Sequence, residues 1–113
     1  MIEHIHPSDL NAWLDKMKAH GLPVVLDVRE ANEVQRASIK AAGFELVHIP
    51  MGVIAPRLSD LDPARPVACL CHHGARSMQV AAFLENRGFD HVANITCGID
   101  AWTSQVDPGV PRY

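Results

Sequence analysis

Short apolar runs recur along the chain without the polar alternation of a half-exposed strand: PVVLDV at 23–28, FELVHIP at 44–50, PVACL at 66–70 and HVANI at 91–95. A strand that is apolar on both sides must be covered on both sides, which is the condition of a parallel sheet between helices. The intervening segments supply those helices. Leu10, Trp13, Leu14 and Met17 fall at i, i+3, i+4 and i+7, with Pro7 before them and Gly21 after them as start and stop signals. IEHI at 2–5 reads as a first strand. Helical stretches are expected over 30–36, 54–60, 77–87 and 99–104, while 37–43 has no clear pattern. The Pro/Gly-rich tail at about 105–113 is expected to be irregular. With 113 residues, the prior is one α/β domain over 1–113.

Composition excludes several function classes. The formal net charge of -3 offers no basic field for nucleic acid. No apolar run reaches the roughly 18 residues of a membrane span. MIEHIHPSDL lacks the basic and apolar regions of a secretion signal, so the expected location is cytoplasmic. Nothing calls for more than a monomer. Three cysteines, Cys69, Cys71 and Cys97, are too few and too odd a number for a disulfide framework. Cys69 and Cys71 lack zinc-knuckle spacing, and the adjacent His72 and His73 rarely converge on one ion, so no metal is expected.

The segment CHHGARS at 71–77 joins an apolar strand to a helix. In parallel sheets ligands sit outside the carboxyl ends of the strands, where such a loop lies. Its backbone amides and the positive end of the helix dipole favour an anion. Gly74 permits a left-handed turn, Arg76 adds a cationic fork, and Ser77 can bond back into the loop or cap the helix. A thiol in that field loses its proton more easily. Cys69 lies inside the apolar strand and reads as core, whereas Cys71 lies where the loop begins. Cys71 to Arg76 spans C-x4-R, one residue shorter than the C-x5-R loop of cysteine-dependent phosphatases. The smaller loop suits a sulfane sulfur carried on the thiolate.

In that loop, together with LDVREANE (26–33), HIPMG (48–52) and CGIDAW (97–102), the chain resembles the rhodanese family as a single-domain member. The resemblance implies a five-stranded parallel sheet with helices on both faces, and a sulfurtransferase without metal or organic cofactor. Cys71 would hold a persulfide taken from a small anionic donor such as thiosulfate, and cyanide, a thiol or a sulfur-accepting protein would remove it. His72, His73, Gly74, Ala75, Arg76 and Ser77 would form the anion site, with Asp27, Arg29 and Glu33 as a supporting, mainly structural ion-pair segment. One of the two histidines would simply lie exposed at the loop mouth, or one would donate to the persulfide or, as a partial cation, lower the Cys71 pKa. The chain departs from the family at 37–42, ASIKAA, which lacks the histidine and glycines of the usual G-H-I-x-G-A. It departs again at Cys97, which replaces the first glycine of a G-G pair and reads either as a tolerated small residue or as a resolving thiol. The alternatives to an enzyme are a sulfur relay to a partner protein or a regulatory binding module.

Overall fold

The computed structural model describes residues 2–113. Five strands, β1 (Glu3–Ile5), β2 (Val24–Asp27), β3 (Glu45–His48), β4 (Val67–Leu70) and β5 (Val92–Ile95), form one sheet in the order β1-β5-β4-β2-β3. Every neighbouring pair is parallel. The helices are α1 (Leu10–Met17), α2 (Ala31–Arg36), α3 (Ala75–Asn86) and α4 (Gly98–Gln105).

Alternate strand residues divide the core between the two faces, because successive side chains of a strand point in opposite directions. Val25, Ala68, Leu70, Ala93 and Ile95 meet the α1 residues Leu10, Trp13, Leu14 and Met17 and the α4 residues Ile99 and Trp102. Val24, Leu26, Val67, Cys69 and Val92 meet Val80, Ala81 and Leu84 of α3. Cys71, just past β4, keeps the α3 side. The expected doubly covered parallel sheet is therefore the observed one.

Some boundaries differ from expectation. The segment expected to be a helix at 54–60 contains a single 3-10 turn at Leu58–Asp60, preceded by another at Met51–Val53. Its sequence, IAPRLSD, places Pro56 inside the span, where a helix loses a donor. The third helix starts at Ala75 rather than 77, because Gly74 (φ +107) makes the turn into it. The patternless 37–43 segment is irregular, but Ala37 and Ile39 are buried beneath it and anchor it to the α1 face. The tail is irregular too, yet Val110 is buried. No helix among the described residues is long and apolar enough to cross a membrane.

Candidate active site

Three chain turns meet at the carboxyl edge of the sheet: Val28–Glu30 after β2, Cys71–Gly74 after β4, and Thr96–Gly98 after β5. Gly74 donates its N–H to Cys71 Sγ at 3.0 Å, and the Ser77 hydroxyl lies 3.3 Å from the same sulfur. Ala75, Arg76 and Ser77 open α3, so their amides have no helical carbonyl behind them. The sulfur thus sits at the positive end of a twelve-residue helix. Cys71 is only 1% exposed, which limits approach to small reagents. Cys69 is fully buried among apolar side chains, and burial pushes its thiol far above the ordinary range. A thiol held neutral in this way is inert.

The turn after β5 closes over the loop. Ile99 donates its N–H to the Cys71 carbonyl at 2.9 Å, and Asp100 donates to the His72 carbonyl at 3.2 Å. The approach demands glycine at 98: a Cβ there would lie 2.2 Å from the Cys71 carbonyl oxygen, and φ is +55°. Cys97, next to it, adopts φ +61°, the only positive φ of a non-glycine among the described residues.

Charges surround the loop but are spoken for. Arg76 forms a two-bond fork with Glu33, at 2.6 and 2.8 Å. That hydrogen bonding outweighs burial and lowers the Glu33 carboxyl to about 2, while Arg76 is held above its usual value. Arg29 is fully buried and forks onto Asp27 at 2.9 and 2.7 Å. Burial opposes its charge, but the bonds to Asp27 and Tyr113 prevail and raise it.

Residues 10–105 match the family described as Rhodanese-like domain. The chain belongs to the rhodanese-like domain family. Among its relatives is the Rhodanese-like/PpiC domain-containing protein 12, chloroplastic, of Arabidopsis thaliana, 44% identical over 91 residues, which are 79% of this chain and 30% of that protein. This chain therefore spans less than a third of that relative. A protein named sulfurtransferase from Allochromatium vinosum is 34% identical over 79 residues, 70% of each chain. The crystal structure of a rhodanese-like domain protein from Staphylococcus aureus superposes with a TM-score of 0.74, covering 99% of both chains at 24% identity, and so shares the fold.

In this rhodanese-like domain the sequence motifs come together at one edge. Glu33 pairs with Arg76, Arg29 donates to the Glu33 carbonyl at 3.3 Å, and Asp27 holds Arg29, so the three form a linked ion-pair frame. Cys97 is exposed beside the loop, its backbone N lying 3.1 Å from where a Cβ on Gly74 would be. His72 is sandwiched between His73 and Tyr113, with ring centroids 3.9 Å apart on each side. Burial and the neighbouring His73 lower its pKa, which favours the neutral imidazole.

Donor atoms of His72, His73 and Asp100 come within 4.8 Å of one another, a closeness that adjacency of the two histidines alone did not suggest. The two imidazoles are stacked with their planes 25° apart. Asp100 Oδ1 also lies 4.0 Å from Arg112 Nε.

Two participants escaped the sequence reading. Tyr113 donates its hydroxyl proton to Glu33 at 2.9 Å and accepts from Arg29 at 3.1 Å, tying the tail to the frame. No periodicity marks a residue in an irregular tail. Asn94 accepts from Ser77 at 2.6 Å, and here a signal existed: it is the lone polar residue of the strand VANI.

Proposed function

We propose that the chain is a sulfurtransferase that carries sulfane sulfur as a persulfide on Cys71. The observation that carries this reading is the placement of Cys71 Sγ: beneath a helix N-terminus, with Gly74 N–H at 3.0 Å and Ser77 Oγ at 3.3 Å. A donor such as thiosulfate presents a sulfur atom bonded to a good leaving group. The Cys71 thiolate attacks that sulfur, a new S–S bond forms, and sulfite leaves with the electron pair of the old one. The negative charge now rests on the outer sulfur, where the loop amides and helix dipole stabilise it. Cyanide or a thiolate then takes the outer sulfur and returns Cys71 to its thiolate form. Two half-reactions through a covalent intermediate imply ping-pong kinetics.

Arg76 has a different part from the one its spacing suggests. Its fork is filled by Glu33, so it positions the loop and adds less net charge to the donor site than a free guanidinium would. Donor selection falls mainly to the amides. The relative named sulfurtransferase supports the reaction class.

Turnover of thiosulfate and cyanide to thiocyanate, measured beside p-nitrophenyl phosphate hydrolysis, tests the reading. Thiocyanate formation that Cys71→Ser abolishes, with no phosphatase activity, is expected. Phosphate release dependent on Cys71, without thiocyanate, would overturn it.

A further inference from the structure

The hydrogen bonds beside Cys71 contain one proton with three claimants. Ser77 Oγ lies 2.6 Å from Asn94 Oδ1, 3.2 Å from the Gly74 carbonyl and 3.3 Å from Cys71 Sγ. A hydroxyl has one proton to give. The Gly74 carbonyl already accepts from Met78 N–H at 3.2 Å. The shortest contact therefore takes the proton, and Ser77 donates to Asn94. Its oxygen can then only accept from Cys71, which fits a neutral thiol.

A thiolate has no proton to offer. In the same arrangement its charge would face the lone pairs of Ser77, leaving Gly74 N–H as the opposing donor. The conflict disappears if Ser77 turns its proton to the sulfur. Its oxygen then needs a donor, and an asparagine turned end for end supplies one from Nδ2. Asparagine offers both faces, whereas aspartate offers acceptors alone. Asn94 is 5% exposed, between the fully buried Ala93 and Ile95. It pairs across the sheet with Cys69 and shares the α3 side with Cys71. A buried amide amid apolar neighbours is costly unless its bonds are made.

We propose that Asn94 is a positioning residue for Cys71, its amide reversing with the protonation state of the sulfur and setting the direction in which Ser77 donates. The proposal rests on the reading of Cys71 as the nucleophile.

The test is a pH titration of thiolate absorbance near 240 nm. It is run on the full chain in a Cys97→Ser background, with Cys71→Ser subtracted. Asn94→Asp is expected to raise the Cys71 midpoint by about one pH unit or more, because it accepts permanently and adds negative charge. Asn94→Ala leaves Ser77 free to turn and is expected to shift it by less than about 0.3 unit. Equal shifts in the two variants, or Asn94→Asp at the wild-type midpoint, would overturn the proposal. Near-ultraviolet circular dichroism checks the fold. If Asn94→Asp does not fold, Ser77→Ala must raise the midpoint and Ser77→Ala/Asn94→Ala must add nothing to it. A wild-type midpoint for Ser77→Ala, or an added shift in the double variant, is the contrary result. The titration reads ionisation rather than sulfur transfer, so it stays decisive even if thiosulfate proves not to be the donor.

Discussion

At the scale of single residues, the site depends on which charges and protons are already committed. Glu33 and Arg76 illustrate this. The Glu33 carboxyl is lowered from its ordinary 4.5 to about 2. A carboxylate whose pKa is depressed on folding stabilises the folded state fully above its unfolded value and loses that contribution as pH falls through its folded value. Stability should thus decline between about pH 4.5 and 2, and Glu33→Gln should remove part of that decline; urea melts across the range measure it. If the slope is the same in Glu33→Gln, the pair does not couple to folding. Tyr113→Phe removes two hydrogen bonds and keeps the stack on His72. It is expected to cost about 1–2 kcal/mol in a urea melt, and an unchanged midpoint of unfolding would refute that. The sequence made Cys71 legible because strand, loop and helix signals meet there. It left Tyr113 hidden, because its partner is 80 residues away, and it marked Asn94 as a polar residue in an apolar strand without showing its partner, Ser77, 17 residues away.

At the scale of elements, the decisive contact is α4 against the Cys71 loop. The two backbone hydrogen bonds from Ile99 and Asp100 fix the carbonyls of Cys71 and His72, while the Gly74 N–H points at the sulfur. Gly98→Ala should therefore cost at least about 2 kcal/mol by denaturant unfolding, since backbone lies where the methyl must go. It should also lower turnover, because the loop carbonyls must move. Cys97 presents the opposite case. Its left-handed backbone costs a non-glycine residue about 1 kcal/mol, part of which glycine regains against its greater freedom when unfolded. Cys97→Gly is expected to stabilise by up to about 1 kcal/mol and to retain persulfide formation. Loss of persulfide formation in that folded variant would instead give Cys97 a part in the chemistry. The strands and α1 were readable because apolar spacing is local. The 54–60 segment misled because Pro56 interrupts it, so that only Leu58–Asp60 forms a 3-10 turn, with Ile54 buried ahead of it.

At the scale of the whole molecule, a parallel sheet gathers the carboxyl ends of β2, β4 and β5 at one edge. Three distant sequence segments become one site there: the acidic frame, the cysteine loop and the α4 entry. Each motif was visible alone in the sequence, but their convergence follows from strand order, which no local pattern states. In the proposed function this gathered edge holds sulfur on Cys71. Intact mass after incubation with thiosulfate tests it most directly. A gain of about 32 Da, one sulfur atom, that cyanide removes and that Cys71→Ser lacks is expected. An unchanged mass with thiosulfate and with small persulfide donors, or a gain that persists in Cys71→Ser, would contradict it.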